Sequence, residues 1–197
     1  MTGMLVRPGS GATMLLCLDA LSLSPDSDAV NVEAGASPAQ APWSAAAVQL
    51  LGHARGQGWA VGHVISRRPQ PGQSPWRPLG GLSPDPSEPV YHRDQPSAFS
   101  SPELSRLLTG AARTEVVLCG VSTHGSALAT ALDALRLCVR LTIAGDAAWL
   151  PPAEREGLEG LLQLQRMGMA QTAVRLASTK ALLRPWTRLR VLQGGRG

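Results

Sequence analysis

Aromatic side chains are scarce in this sequence. They make up 4% of its 197 residues, so aliphatic side chains and alanine must fill any core. Lys180 is the only lysine, and arginine therefore carries almost all of the positive charge. No stretch reaches the roughly 18 apolar residues of a membrane span, and residues 1–8 lack the apolar segment of a signal peptide. We therefore expect no membrane partner and a cytoplasmic protein.

Cysteine is also rare, and its placement argues against disulfides. Cys17, Cys119 and Cys138 each lie in an apolar run, where a free thiol acts as a small hydrophobic side chain. The formal charge is +4, but the basic residues occur singly or in pairs. Because they form no basic stripe, we expect no nucleic-acid partner.

Strand and helix patterns alternate along the chain. Residues 12–19 form a short apolar run that ends in Asp19, as expected of a central strand buried on both faces. The alternation predicts a three-layer α/β/α, Rossmann-like domain with a mainly parallel sheet over residues 1–184, followed by a tail at 185–197. The predicted strands are 12–19, 59–66, 90–93, 114–120, 139–144 and 172–176; the predicted helices are 43–55, 101–109, 126–137, 151–169 and a short one from Ser178.

Two long segments interrupt this alternation. Residues 22–42 and 67–89 are rich in proline, serine or glycine and show no sustained period, so we expect loops. Ligands of open α/β sheets bind at the carboxyl ends of the strands. These loops are therefore candidates for the walls of a site and for its specificity, with Trp76 as a possible lid.

Several segments, taken in order, resemble the isochorismatase-like (cysteine hydrolase) superfamily. The most specific of them contains the pattern GVxTxxxxLATALDA, with a Ser-Ala-Phe element upstream that ends at Phe99. The resemblance covers nearly the whole domain and implies a three-layer α/β/α hydrolase fold. The segments that carry it are LLCLD (15–19), YHRDQPSAF (91–99), VVLCGVSTHGSALATALDA (116–134), IAGDA (143–147) and LASTKAL (176–182).

The resemblance implies a site made from an aspartate, a lysine and a cysteine, and two of the three are changed here. The aspartate position is Asp19, which ends the first strand. The lysine position, six residues before Phe99, holds Arg93, and the cysteine position holds Ser126. A serine hydroxyl is a much poorer nucleophile than a thiolate. A guanidinium keeps its proton, so Arg93 would orient an anion and not tune a base.

The isochorismatase branch of the family needs no cysteine, because its aspartate acts as an acid that protonates a vinyl ether. His124 favours that branch. The resemblance also implies substrate contacts from Phe99 and from the turn that offers backbone amides, Val121, Ser122 and Thr123. The Asp-x-His element of the metal-binding branch is absent after Asp19. We therefore expect neither a metal nor a cofactor.

Three hypotheses for function remain open. The first is a hydrolase that acts on a small, anionic substrate through Asp19 acid/base chemistry, with Arg93 holding the substrate. The second is a catalytically inactive family member that serves as a binding or oligomeric protein, and the third is an amidase with Ser126 as nucleophile. A salt bridge in which Arg93 fills the pocket beside Asp19 would argue against the first.

For several other residues we expect a structural role and not a functional one. His63 is expected to be packed or hydrogen-bonded and not a ligand, and Cys119 to be a buried, inert thiol. His92 and Arg93 are neighbours on a strand, so only one of them can face Asp19. The small-residue helix face Ala127, Ala131 and Ala134 fits a homodimer or higher homo-oligomer, or else the core.

Overall fold

The computed structural model describes residues 13–22, 42–66, 77–78, 81–109, 115–122, 125–168 and 174–184. The strands are β1 (Thr13–Leu18), β2 (Leu21–Ser22), β3 (Ala60–Ser66), β4 (Arg77–Pro78), β5 (Val90–Arg93), β6 (Glu115–Val121), β7 (Arg140–Trp149) and β8 (Val174–Ala177). The helices are α1 (Pro42–Gly56), α2 (Pro102–Thr109), α3 (Ser126–Arg136), α4 (Pro152–Arg166) and α5 (Thr179–Leu182), with a 3₁₀ turn at Ala98–Ser100.

Six of the strands form one sheet in the order β5-β3-β1-β6-β7-β8, and every neighbouring pair is parallel. β1 lies near the centre, so its side chains are buried on both faces. Leu15 and Cys17 pack against the layer that contains α1 and α5, whereas Leu16 and Leu18 pack against α2, α3 and α4. The predicted three-layer α/β/α architecture is confirmed.

Most predicted elements are present, but β7 is longer than expected. The prediction ended it at residue 144, and the strand continues to Trp149. Its register with β6 shifts, because Leu118 pairs with Ile143 whereas Gly120 pairs with Ala148. This irregularity contains Asp146, whose Oδ1 accepts hydrogen bonds from the backbone N and the Oγ1 of Thr179 at 2.7 and 2.8 Å. The bulge therefore fixes the start of α5.

Other details differ from the sequence prediction. Cys138 is exposed and has a positive φ of 56°, so it is not the small hydrophobic side chain that was expected. Cys17 and Cys119 are buried free thiols, as predicted. The two-residue strands β2 and β4 pair antiparallel within segments expected to be loops. The remaining parts of those loops and the predicted tail lie outside the described residues.

Each helix that the structure describes is too short or too polar to span a lipid bilayer.

Candidate active site

Asp19 is the first residue after β1, at the carboxyl edge of the sheet. Its φ of 41° lies in the left-handed region, which aspartate tolerates better than most residues. Its backbone N–H donates to the carbonyl of Val64 on β3 at 2.9 Å. These constraints turn the chain sharply where the central strand ends, and the side chain is buried at that turn.

Gly120 on the neighbouring strand makes this turn possible. Its φ is 106°, and a Cβ at this position would lie 2.2 Å from the carbonyl oxygen of Leu18. Only glycine permits both the backbone conformation and this approach. β6 can therefore lie directly against the end of β1.

Arg93 ends β5 and reaches across to Asp19. Its Nη2 donates to Asp19 Oδ2 in a salt bridge, and its Nη1 donates to the carbonyls of Gln95 and Pro96, both at 2.9 Å. Arg93 is 4% exposed and Asp19 is 7% exposed. His92 is exposed, so Arg93 is the neighbour that faces Asp19. Both hydrogens of Nη1 are thus used within the protein.

Ser126 begins α3, directly after Gly125 in the left-handed conformation. It is completely buried, and its Oγ lies 3.2 Å from the Oγ of Ser122. Ser122 in turn donates to Glu154 Oε1 at 2.7 Å. Because a hydroxyl has one hydrogen and the carboxylate is the stronger acceptor, Ser126 is the donor in the contact between the two serines.

Glu154 is a site residue that the sequence analysis missed. It lies in the first turn of α4 and is 5% exposed. Its Oε1 accepts from the backbone N of Leu128 at 2.8 Å, while Ser122 Oγ accepts from the backbone N of Ala127 at 2.9 Å. The first turn of α3 is therefore capped from another helix, which fixes the position of Ser126.

The structure brings some of the predicted residues together and separates others. Asp19 and Arg93 are joined, and Ser126 is joined to Ser122. The backbone N–H of Ser122 donates to the carbonyl of Trp149 at 2.9 Å, so this amide is used inside the sheet. Val121 and Phe99 lie in the two core clusters, and their predicted substrate contacts stay predictions. Trp76, Thr123 and His124 lie outside the described residues.

A second network, which joins the buried His63 to the exposed Arg55, positions the segment that leads into β5. His63 Nε2 lies 2.9 Å from Glu88, and Arg55 donates to both oxygens of Glu88 through Nε and Nη2 at 2.8 and 2.9 Å. Burial raises the pKa of Glu88, but hydrogen bonds from Arg55, the Asp85 amide and His63 outweigh it and lower that pKa to about 2. Burial lowers the pKa of His63 by more than Glu88 raises it. The prediction of a packed, hydrogen-bonded His63 is confirmed.

No cluster of three or more histidine, cysteine, aspartate or glutamate side chains suited to a metal occurs among the described residues. The expectation of a site without metal or cofactor stays a prediction, since Thr123, His124 and parts of both long loops are not described.

Comparisons with known proteins agree on the fold. A family model for the isochorismatase domain matches residues 21–174, a range that begins two residues after Asp19. Among solved structures, an isochorismatase-like hydrolase from Alkaliphilus metalliredigens is 18% identical, with a TM-score of 0.64 over 87% of this chain and 97% of the other. No curated protein sequence matches the chain.

Two further structures show the same likeness. An isochorismatase from Pseudomonas putida KT2440 is 20% identical, with a TM-score of 0.63 over 89% of this chain and 92% of that one. N-carbamoylsarcosine amidase from Thermoplasma acidophilum is 17% identical, with a TM-score of 0.60 over 85% and 96% of the two chains. At these identities the likeness establishes the fold and not the reaction.

Proposed function

Because this chain belongs to the isochorismatase family, we propose that it is a member that keeps the family's hydrolase fold and Asp19 but has lost hydrolysis and serves as a binding or oligomeric protein. The observation that carries the proposal is the buried salt bridge between Asp19 and Arg93. Each of the three catalytic roles considered for this site meets an obstacle in the contacts around it.

The acid role requires Asp19 to carry a proton. A protonated Asp19 would leave the guanidinium of Arg93 buried beside a neutral group, and arginine cannot release its own proton to relieve this. Transfer of a proton from Asp19 to a vinyl ether would therefore have to take place in contact with the guanidinium that holds the carboxylate.

The anion-binding role requires Arg93 to present its donors to a substrate. Two of them are held by the carbonyls of Gln95 and Pro96, and another is held by Asp19. A bidentate contact with a carboxylate uses two parallel N–H groups. To form one with the Nη1 and Nη2 groups, Arg93 would have to break contacts that keep it in place.

The nucleophilic role requires an activated Ser126. Its hydroxyl is completely buried and donates to Ser122, which is itself tied to Glu154. In this arrangement Ser126 has a structural role, as part of the hydrogen-bonded cap at the start of α3. The serine amidase hypothesis is therefore the weakest of the three.

Hydrolysis of a small, anionic substrate through Asp19 remains the second candidate function. It is favoured by the position of Asp19 at the carboxyl edge of a central parallel strand, where open α/β sheets bind their ligands. It requires the Asp19–Arg93 pair to open when the substrate enters.

Asp19→Asn distinguishes the two candidates. If the pair is structural, the variant loses about 3 kcal/mol or more of unfolding free energy, because a buried guanidinium loses its partner. Removal of a catalytic carboxylate more often leaves stability unchanged or raises it. The measurements are urea unfolding and turnover of amide, ester and vinyl ether substrates. Turnover by the wild type that Asp19→Asn abolishes and Ser126→Ala preserves would overturn the proposal in favour of the second candidate.

The homo-oligomeric state predicted from the sequence is also part of the proposal, but its interface must differ. Ala127, Ala131 and Ala134 are at most 1% exposed and belong to the core. The apolar side chains that α3 and α4 leave exposed are Leu132 and Leu164, at 51% and 46%. We expect the mass in light scattering to exceed that of one chain and Leu132→Glu to reduce it. A wild-type protein that elutes as a monomer would remove this part of the proposal. The predicted cytoplasmic location stays a prediction.

A further inference from the structure

A surface pocket lies beside the edge strand β8. It has a volume of about 330 Å³ and is formed by β7, β8 and α5. Its lining extends from Thr142 and Arg175, which are paired in the sheet, to Ala177 at the carboxyl end of β8 and on into α5. The pocket and Asp19 therefore lie at different strands of the sheet, with β6 and β7 between them.

One wall of the pocket is a guanidinium held in place by a buried carboxylate. Glu115, the first residue of β6, is 7% exposed; it accepts a hydrogen bond from Thr142 Oγ1 at 2.8 Å and forms a salt bridge with Arg175 Nη2. The side chain of Arg175 remains 52% exposed. Glu115 thus fixes one end of the guanidinium, while much of the Arg175 side chain stays accessible. A hydrogen-bond donor that is already fixed in position loses less entropy when an anion binds.

The other walls combine a second cation with apolar surface. Arg184, which is exposed, lines the pocket just after α5. Ala177, Ala181 and Leu182 supply apolar lining between the two arginines. Among the described residues that line the pocket, two carry a positive charge and none is acidic, and Glu115 is the carboxylate that binds one of the two guanidiniums.

We propose that this pocket binds a small monocarboxylate with an apolar body, of about the size of a benzoate ion. Arg175 and Arg184 would hold the carboxylate, and the alanine and leucine side chains would cover the ring or chain. The volume lies at the lower end of the range for small-molecule sites, about 300–1,000 Å³, which excludes large ligands. The proposal does not depend on whether the Asp19 site is catalytic.

The test is a titration of the isotope-labelled wild-type protein at low salt, followed by amide NMR. Benzoate is the probe, benzamide is its neutral match, and inorganic phosphate is an anion without an apolar body. We expect saturable benzoate shifts in β8 and α5, with much weaker binding of benzamide and phosphate. Absence of benzoate shifts there, or equal binding of either matched probe, overturns the proposal.

Variants locate the site. Arg184→Gln and Arg175→Gln should each weaken benzoate binding about tenfold, the effect of one lost charge-assisted contact. Arg136→Gln, an exposed arginine on α3, is the matched control and should leave binding unchanged. Arg175→Gln also leaves Glu115 without its ion pair and can unfold the protein, so Arg184→Gln decides the result. Undiminished binding in Arg184→Gln overturns the proposal.

Discussion

The two halves of the candidate site are both buried, but they are held together differently. Asp19 and Arg93 are opposite charges, whereas Ser126, Ser122 and Glu154 form a chain of two hydroxyls that ends in a carboxylate. In a buried ion pair, removal of either partner leaves an uncompensated charge. In a hydroxyl chain, hydrogen bonds can be removed one at a time. Substitution of either charged residue should therefore remove most of the stability that the first half provides. Single substitutions in the second half should each remove only part of it.

Gly120→Ala should have the largest effect, because this glycine lies between the two halves. The added Cβ would meet the Leu18 carbonyl at 2.2 Å, and alanine disfavours a φ of 106°. Backbone cannot move aside as a flexible side chain can. We expect a loss of more than about 4 kcal/mol, measured by urea unfolding, or no folded protein at all.

Gly125→Ala is the control for Gly120→Ala. Gly125 also has a positive φ, 75°, but a Cβ there would meet no atom of the described residues within 4 Å. This variant should lose about 1–2 kcal/mol of unfolding free energy, the cost of placing alanine in the left-handed conformation. Equal losses in the two variants would show that the approach of β6 to β1 does not hold the site together.

Arg93→Met should have the next largest effect. It leaves the Asp19 carboxylate buried without its guanidinium and deprives the Gln95 and Pro96 carbonyls of a donor. We expect a loss of about 3–5 kcal/mol in unfolding free energy. In Arg93→Lys the charge is kept but the planar fork is lost, so the cost should be smaller.

The double variant of Arg93→Met with Asp19→Asn tests whether the two residues stabilise the protein as a pair. If the two residues act as a pair, its loss should be clearly smaller than the sum of the two single losses. Simple additivity would mean that the pair is not the unit that stabilises this half, and it would weaken the proposed structural role.

Ser122→Ala should have a moderate effect and Ser126→Ala a smaller one. Ser122 Oγ contacts Glu154, the Ala127 amide and Ser126, so its loss leaves buried groups without partners. We expect about 1–3 kcal/mol for Ser122→Ala, and about 1 kcal/mol for Ser126→Ala, which removes the hydroxyl contact with Ser122. Thermal unfolding of both variants measures the order, and a larger loss in Ser126→Ala would contradict the stepwise description of this half.

The first half of the site was easier to predict from sequence than the second. An apolar run that ends in aspartate is a local pattern that placed Asp19 at the carboxyl edge of the sheet, and the resemblance to the family singled out Arg93. The role of Glu154 is not local, because its partners Leu128 and Ser122 are 26 and 32 residues away. A glutamate in a first helical turn is already explained by the helix dipole, so nothing in its own segment indicated the second role.

The fold shows the same division between local and distant causes. Strand and helix periods gave the layers correctly, because burial of apolar faces decides them. The end of β7 was predicted too early, since Gly145 and Asp146 resemble a turn in isolation. They continue the strand because the irregularity in its register lets Asp146 bind Thr179 at the start of α5. That contact depends on a helix more than thirty residues further along the chain.

The pair formed by Glu88 and Arg55 extends the comparison to an ion pair whose contribution depends on pH. The pKa of Glu88 is about 2 in the folded protein, below its ordinary value of 4.5. A lowered carboxyl pKa stabilises the folded state above the ordinary pKa, and this contribution is lost as the pH falls through the folded value.

The difference in unfolding free energy between the wild type and Glu88→Gln should therefore be constant above a pH of about 4.5 and shrink between about 4.5 and 2. Urea unfolding across this range measures it. Glu159→Gln, which removes an exposed carboxylate on α4, is the control variant. If the Glu88→Gln difference were flat, the network of Arg55, His63 and Glu88 would not stabilise the ionised carboxylate. The segment before β5 would then have to be held by its other contacts, such as the hydrogen bond from Arg55 to the Ser83 carbonyl at 2.8 Å.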